Sequence, residues 1–547
     1  MSAVLMAQAP LVQHFDLIAQ APGGVARLRE LILTLAVQGK LVPQDPSETL
    51  VDISVIPAAI NRLIGEGKVP RSRTSAEDEQ EAIFDELPNG WVAVTASNVF
   101  VPRSGNSKLI KGKLFSESAE HLYPGYSASG QDVWLPNFEY EGTAVILSAV
   151  GARCGKAFLA KGKWSAIANT HIIWPLLDLV LPEYSMLLLN NEDYWIRSGG
   201  AQPFVKVTET LRQQVFLPPL AEQSRIVTRV EELMQLCDAL EASGQLEAQQ
   251  HAQLVNTLLG TLTQSETPEA LADNWQRIAT HFDVLLDRPE AVDALEQTIL
   301  QLAVRGLLVP QDPTDEPASV LLQKIRTEKD HLIAQGKIKR DKPLPPITDE
   351  EKPFELPQGW EWVRLRDVAD NRLGKMLDKA KNTGKRYPYL RNTNVQWRHI
   401  DLDDIKEISL EANELDEFRL VPGDLLICEG GYPGRCAIWD HPEREMYFQK
   451  ALHRVRPKAG IAAELIAISL EVDSKSGDLE AYFTGATIKH FVGQALDRYV
   501  FPLPPLNEQM RIISRVSELR EICTVLRHRM IASNALQSQL ADVFSMG

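Results

Sequence analysis

The chain has 547 residues, of which 44% are apolar and 24% charged, the composition of a globular protein with room for roughly three to five folding units. It holds no apolar run of the ~18 residues a membrane span requires, so no membrane partner is expected. The formal charge of −16 by itself argues against nucleic acid, but residues 88–217 carry +1 and residues 357–503 carry −2, leaving −15 to the remaining segments; local charge governs phosphate attraction, not the total.

The start, Met1 to Leu11, lacks a basic opening and a cleavage site, and reads as a cytoplasmic start. The five cysteines (Cys154, Cys237, Cys428, Cys436, Cys523) include no C-x-x-C pair, so zinc, a disulfide framework and any other metal site are not expected.

Residues 14–46 (HFDLIAQAPGGVARLRELILTLAVQGKLVPQDP) return as 281–313 (HFDVLLDRPEAVDALEQTILQLAVRGLLVPQDP). Leu28, Ile32, Leu35 and Ala36 fall on one helical face, as do Leu295, Ile299, Leu302 and Ala303. Gly39 and Gly306 stop these helices. A second helical stretch ends at Gly67-Lys68 and again at Gly336-Lys337, and polar or proline-rich linkers follow, Arg71 to Glu81 and Arg340 to Pro353. Each closes on a repeated phrase, Leu87-Pro88-Asn89-Gly90-Trp91 and Leu356-Pro357-Gln358-Gly359-Trp360. Turn chemistry followed by a strand-like run marks the start of a new domain.

The two inserts that follow diverge more, but the spacing suggests that Tyr126 and Trp134 match Tyr389 and Trp397, Arg153-Cys154 match Arg435-Cys436, and His171 and Pro175 match His453 and Pro457. Gly142 to Leu147 and Gly423 to Cys428 each predict a buried strand. Short β runs dominate, with helices near 182–195 and 462–481, so each insert reads as a compact α+β domain.

Pro218-Pro219-Leu220-Ala221-Glu222-Gln223-Ser224-Arg225-Ile226 recurs as Pro504-Pro505-Leu506-Asn507-Glu508-Gln509-Met510-Arg511-Ile512. Each copy opens an apolar stripe stepping 4, 3, 4, 3: Ile226, Val230, Leu233, Cys237, Leu240, and Ile512, Val516, Leu519, Cys523, Leu526. Such a step is a coiled-coil seam, and duplicated copies argue against two unrelated core helices. The expected fold class is α+β: two α/β domains separated by long antiparallel coiled-coil helices, with a pseudo-two-fold internal repeat. The expected division is 1–87, 88–217, 218–356, 357–503 and 504–547, and a helix from 221 to about 260 would span roughly 60 Å.

Catalytic signatures are missing: no G-x-x-x-x-G-K-[ST] loop, no G-x-G-x-x-G after a strand, no Asn-Pro-Pro-aromatic sequence and no H-E-x-x-H. Glu350-Glu351-Lys352 resembles the end of a nuclease carboxylate motif, yet it sits in a proline-rich linker and reads as solvated. The inserts carry instead basic and amide side chains suited to duplex DNA: Arg103, Asn106, Lys108, Lys111 and Lys113 in the first, and Lys375, Lys379, Lys381, Lys385, Arg386, Arg391, Asn392, Asn394 and Arg398 in the second. Lys and Arg neutralise phosphates, and Arg, Asn and Gln read base edges; a solvated charged face is the alternative for each. The glycine loops holding Arg153 with Lys156, and Arg435, follow buried strands and suit ligand contact or a plain turn. His171 and His453 read as structural.

Taken jointly, these phrases resemble the specificity subunits of type I restriction–modification systems. The resemblance rests on P-P-L-x-E-Q-x-R-I, L-A-V-x-G-x-L-V-P-Q-D-P, E-L-P-x-G-W, and the insert phrases PGYSASGQDVW (with Tyr126, Ser127 and Gln131), SAVGARCGK and GDLLICEGGYPGRC. It implies two target recognition domains reading the halves of a split double-stranded DNA site, on helices that act as a ruler. It also implies docking of two methyltransferase subunits and of restriction subunits, with no cofactor in this chain; S-adenosylmethionine, ATP and Mg would belong to those partners. Half-sites on a rigid spacer sit on the order of one helical turn (~34 Å) apart, and dissimilar inserts imply an asymmetric target. A non-DNA coiled-coil scaffold and an enzyme with fused recognition domains are the competing readings.

Overall fold

The computed structural model describes residues 18–19, 21–70, 87–191, 194–200, 202–265, 267–340, 342–377, 384–458 and 460–546. The chain divides into two compact units. Unit 1 is 1–246 with 534–547, and unit 2 is 247–533.

In unit 1, α1 (Gly24–Val37) buries Leu28, Ile32 and Ala36, the face the periodicity predicts, and α2 (Ile56–Gly65) follows. The insert is closed at its root by an antiparallel pair, β1 (Val92–Thr95) against β12 (Gln214–Leu217). Above it lie two four-stranded sheets. One runs β2 (Phe100–Ser104), β9 (Thr170–Pro175), β6 (Ala144–Ser148), β7 (Ala157–Ala160). The other runs β4 (Gly130–Leu135), β3 (Tyr123–Ser127), β8 (Lys163–Ala166), β5 (Tyr140–Glu141). β6 is buried at all five positions, as its apolar run requires, and Trp164, Trp174 and Tyr184 fill the core. A hairpin of β10 (Arg197–Ser198) and β11 (Phe204–Val205) and the helix α3 (Pro182–Leu189) complete the insert.

The helix α4 (Leu220–Thr263) starts in unit 1 and ends in unit 2. Its Ile226, Val230, Leu233 and Cys237 join the unit 1 core, together with Ala541 from the end of the last helix.

In unit 2, α5 (Pro268–Thr280), α6 (Pro289–Val304) and α7 (Ala318–Ala334) precede a second insert. Its root is β13 (Glu361–Arg364) against β23 (Val500–Leu503). The main sheet is β14 (Ala369–Leu373), β22 (Leu452–Pro457), β19 (Asp424–Cys428), β20 (Cys436–Trp439), the same order as β2-β9-β6-β7. The second sheet has three strands, β18 (Lys406–Leu410), β15 (Lys385–Leu390), β21 (Tyr447–Phe448), and β16 (Val395–Gln396) pairs β17 (His399–Ile400) separately. The helix α8 (Ala463–Ser476) covers the sheet, and α9 (Leu506–Met546) ends the described chain. Each unit therefore takes the opening of one long helix and the close of the other. Val255, Leu259 and Leu262 of α4 share a core with Cys523 of α9 and with α6.

The registers correct three of the expected matches. Leu147 pairs His171 and Ile427 pairs His453, so the two histidines do correspond. The same registers align Val145 with Leu425, one residue away from the Gly142–Gly423 alignment of the phrases. Ser148 N donates to Lys156 O and Cys428 N to Arg435 O, both at 2.8 Å, so Arg435 matches Lys156 and not Arg153. The parallel pairs Tyr126–Ala166 and Leu390–Phe448 make Tyr126 the counterpart of Leu390, and Trp397 lies in a turn whereas Trp134 is on a strand. The first loop has one residue more than the second, which identity counting cannot see.

The three repeated phrases meet at one place in each unit. Gly39 and Gly306 adopt left-handed φ of 68° and 70°. A Cβ on Gly39 would lie 2.7 Å from Pro88 Cγ, and one on Gly306 2.5 Å from Pro357 Cγ, so the helix end packs directly on the Pro-x-Gly-Trp turn. The buried Glu222 accepts from Trp91 Nε1 at 3.1 Å, and Glu508 from Trp360 Nε1 at 3.0 Å and from Gln311 Nε2 at 2.6 Å. Burial pushes both carboxyls above their ordinary pKa although these donors oppose it. Gln223 donates to Leu179 O and Pro218 O and accepts from Leu181 N; Gln509 donates to Pro504 O and accepts from Ala462 N. Arg225 pairs Glu48, and Arg511 pairs Asp315 at 2.6 Å. The P-P-L-x-E-Q-x-R-I phrase is thus a clamp that fixes the long helix to the root of each insert, where buried polar groups require partners.

Candidate nucleic-acid interface

The clamp orients each insert by its root, which leaves the opposite ends of the strands to present loops. In unit 1 these loops are tied into one rim by backbone hydrogen bonds. Gly105 N donates to Thr170 O (2.9 Å), Ala168 N to Leu109 O (3.1 Å) and Ile167 N to Tyr126 O (3.0 Å). Ala149 N donates to Asn169 O (2.9 Å), Val205 N to Ala149 O (3.0 Å) and Gly151 N to Pro203 O (2.8 Å). Unit 2 repeats the scheme: Gly374 N to Leu452 O (2.9 Å), Gln449 N to Leu390 O (3.2 Å), Glu429 N to Ala451 O (3.0 Å) and Phe491 N to Glu429 O (2.7 Å).

The rim of unit 1 comprises 105–109, 127–131, 148–156, 167–170, 197–200 and 202–205, and these segments contain no acidic residue. Lys108 and Arg153 are exposed on it, Lys156 is half-buried, and the Arg197 guanidinium lies beside Gly155. The rim of unit 2 comprises 374–377, 391–397, 428–435, 449–451 and 484–490, with Glu429 as its one acid. It presents Asn392, Thr393, Gln396, Tyr432, Lys450 and Ile488. A stretch poor in acid and rich in cations and amides favours phosphates and base edges whatever the net charge.

The expected contact residues divide between rim and interior. Lys108, Gln131 and Arg153 are exposed on the rim. Asn106 is at the rim but caps a turn, accepting from Lys108 N at 2.9 Å and donating to Glu139. Lys111 pairs Asp132, and Lys113 is exposed near it. Arg103 points the other way: it donates to Gly67 O (2.8 Å) and Lys68 O (3.1 Å) and stacks over Tyr140. Tyr126 and Ser127 are buried. The Tyr126 hydroxyl donates to Leu159 O at 3.3 Å and burial pushes its pKa up, while the Ser127 hydroxyl accepts from Ser129 N at 3.0 Å.

In unit 2, Lys379 and Lys381 lie outside the described residues. Lys375 pairs Glu414, Arg386 pairs Glu407 at 3.2 Å, and Lys385 sits over the Tyr387 ring. Arg391 pairs Asp404 at 2.6 Å. The buried Asn394 amide is fully used, accepting from Arg391 N and donating to Asp401 O and Asp404 O. Arg398 reaches Glu296 on α6 and anchors the insert to the helices. Arg435 spends its fork on Gln396 Oε1 (3.0 Å) and Asn392 O (2.9 Å). Of the described cations in the basic run 375–398, Lys375, Arg386 and Arg391 are thus paired by acids of the run 401–417 that follows it. His453 is structural, as expected: fully buried, held down to about 4 by burial, and donating from Nε2 to Phe491 O at 2.9 Å. Burial lowers His171 as well. Glu351, expected to be solvated, caps a short helical turn and pairs the buried Arg364 at 3.0 Å.

The hairpin β10–β11 and its counterpart, the bridged loop Thr484–His490, escaped the sequence reading, and with them Arg197, Thr393, Gln396, Tyr432, Lys450 and Ile488. A signal existed: Gly200-Ala201 precedes Phe204-Val205 as Gly485-Ala486 precedes Phe491-Val492. Among the described residues, no helix is long and apolar enough to cross a membrane.

A family profile described as type I restriction modification DNA specificity domain matches residues 357–533. The chain is 33% identical to the type I restriction enzyme EcoAI specificity subunit of Escherichia coli, covering 95% of this chain and 93% of that one. It is 32% identical to the EcoEI specificity subunit of the same organism, again over 95% and 93%. A chain from a solved type I R-M system, studied for complex assembly and conformational transition, superposes with TM-score 0.49 at 17% identity over 84% of this chain and 97% of that one.

Proposed function

The chain belongs to the specificity subunits of type I restriction–modification systems, and we propose that it reads a two-part DNA target with the rims of its two units. One observation carries this reading: the same backbone rim is built twice and furnished differently. Unit 1 offers Lys108, Arg153 and Lys156 without an acid, and unit 2 offers Asn392, Gln396 and Tyr432. Cations supply phosphate affinity and its salt dependence, whereas different base-facing side chains select different half-sites. The target is therefore asymmetric.

In the same reading, the long helices shared by the units set the spacing of the half-sites and dock two methyltransferase subunits, and the assembly recruits restriction subunits. Leu236 and Leu254 of α4, and Ile522, Val525, Leu536 and Leu540 of α9, are exposed apolar side chains suited to such partners. Catalysis, with S-adenosylmethionine, ATP and Mg, resides in those partners, and this chain supplies recognition from the cytoplasm. The test is to co-express the chain with its modification subunit and sequence the methylated bases. An asymmetric motif split by a fixed spacer is expected; a continuous or palindromic motif overturns the reading. A protein scaffold without DNA affinity would show neither duplex binding nor a steep salt slope.

A further inference from the structure

We propose that Tyr432 is a wedge that stacks on the bases of the half-site read by unit 2, with Arg435 as its positioning residue; this rests on the DNA-reading role proposed above. The turn that carries Tyr432 occurs in both units. Arg435 N donates to Tyr432 O at 3.2 Å, and Lys156 N to Arg153 O at 3.1 Å, so Tyr432 holds in unit 2 the place that the exposed Arg153 holds in unit 1. A cation at that tip suits a phosphate or a guanine edge; an aromatic ring suits a base face.

Tyr432 is 70% exposed, which leaves a large flat side chain open to a partner. It is also held in place. The Arg435 guanidinium lies 4.9 Å from the ring centroid, fixed from beneath by Gln396 Oε1 and Asn392 O. Gly431 takes φ of 80°, and a Cβ there would come within 2.9 Å of Asn392 Nδ2, so the loop is pressed onto the Asn392 side chain. Pro433 fixes the backbone on the other side. Because the Arg435 fork donates within the chain, the feature left to meet DNA at this tip is Tyr432, not the guanidinium.

Ile488, 66% exposed, stands on the neighbouring loop, whose His490 ring lies 3.1 Å from a Cβ placed on Gly430. Tyr432 and Ile488, with the exposed Met376 and Leu377, stand on a rim with one acid and with amide side chains beside them, a mixed surface that fits a strand of bases better than an apolar protein groove. Side chains of this kind enter base steps and unstack them, and stacking on an aromatic ring tolerates any base.

The test uses the full chain with its modification subunit and duplexes of the mapped target that carry 2-aminopurine at successive positions of each half-site. Fluorescence is expected to rise at one step of the unit 2 half-site with the natural chain and with Y432W, and not with Y432A. Target affinity should fall about 10- to 100-fold in Y432A, the loss expected for one stacked base. Affinity for unrelated duplex and the salt slope should be unchanged. R435K keeps the charge but loses the fork, and should reduce the fluorescence rise without changing the salt slope. A Y432A chain that matches the natural one in signal and affinity overturns the wedge, as does one that loses only the modification subunit. If the natural chain shows no preference for the mapped site, the DNA-reading role itself falls and the wedge with it.

Discussion

Glu296→Ala should destabilise unit 2 by several times more than Arg29→Ala destabilises unit 1, although the two positions are equivalent in the repeat. Glu296 is 4% exposed and accepts from Arg520 Nε at 3.1 Å and from Arg398 and Arg527. Arg520 also reaches Glu471 at 2.6 Å, and Arg527 reaches Asp293 at 2.7 Å. Without the Glu296 carboxylate, three guanidiniums would share two acids in a mostly dry site. Breaking a buried pair costs about 3–5 kcal/mol, and the half-exposed Arg398 places the loss at the low end, about 3 kcal/mol. At ~2–4 °C per kcal/mol for a unit of this size, the melting temperature should drop by about 6–12 °C. Arg29 pairs Asp238 at 2.7 Å and Glu241 at 2.9 Å, but both acids are exposed and Arg29 is only partly buried, so R29A should cost about 1 kcal/mol or less. Urea unfolding of the full chain, followed by tryptophan fluorescence, measures both. The pH dependence supplies a second readout. Burial pushes the Glu296 carboxyl up, but the guanidiniums of Arg527, Arg398 and Arg520 outweigh it and hold it below its ordinary value. A depressed carboxyl stabilises above its unfolded pKa and loses that contribution as pH falls through the folded one. The gap between E296A and the natural chain should therefore close below about pH 4. Equal costs for E296A and R29A, or a gap that widens in acid, would refute the reasoning.

Gly306→Ala should cost at least about 2 kcal/mol, because it forces a side chain into a left-handed conformation and against Pro357 and Trp360; Gly39→Ala should behave alike, and unfolding at the cost of a surface substitution in either would show that the turn does not pack as described. Asp473 accepts from the Tyr499 hydroxyl at 2.6 Å, and burial raises its carboxyl to about 6. A raised carboxyl stabilises fully below its unfolded pKa and loses this as pH rises through the folded one, here up to about 3 kcal/mol between pH 4 and pH 7. D473N should thus gain on the natural chain as pH rises, and a constant difference from pH 4 to pH 8 would contradict it. In duplex binding, R153A and K156A should each lower the salt slope by about one, whereas R398A, whose guanidinium is committed to Glu296, should leave it unchanged; a slope that responds to R398A alone would reverse the assignment of the rim.

Periodicity is a statement about burial, and it carried the helices. The stripe from Ile226 to Cys237 is buried, α4 spans 220–263 where a helix from 221 to about 260 was expected, and Gly39 and Gly306 end α1 and α6 with positive φ. Pairing in three dimensions is a different matter. The dense basic run of 375–398 reads as a DNA-facing patch until Glu407, Glu414 and Asp404 are folded onto it, and acids some ten to forty residues away give no local sign of where they will land. Tyr126 sits in a polar phrase yet is buried together with Gly125 and Ser127, because β3 lies between β4 and β8 and the phrase gives no sign of those partners. Tyr432 carries no charge that would mark it in the sequence, and the exposure of an aromatic is visible only once the loop is built.

The repeat also contains its own asymmetry. Glu296 and Arg29 are equivalent on the helices α6 and α1, and Arg527 and Glu241 are equivalent on α9 and α4. The pair Glu296–Arg527 in unit 2 is therefore written with the opposite polarity as Arg29–Glu241 in unit 1. If α1 took the place of α6, Arg29 would face Arg527; in the reverse exchange Glu296 would face Glu241. The apolar faces of these helices are nearly interchangeable, since Leu28, Ile32 and Ala36 repeat as Leu295, Ile299 and Ala303. Burial alone would tolerate the wrong partner. Like charges at the seam penalise it, most heavily at the buried Glu296. A duplicated chain needs such a distinction in order to fold each helix onto its own insert, and reversing one ion pair supplies it without altering the packing.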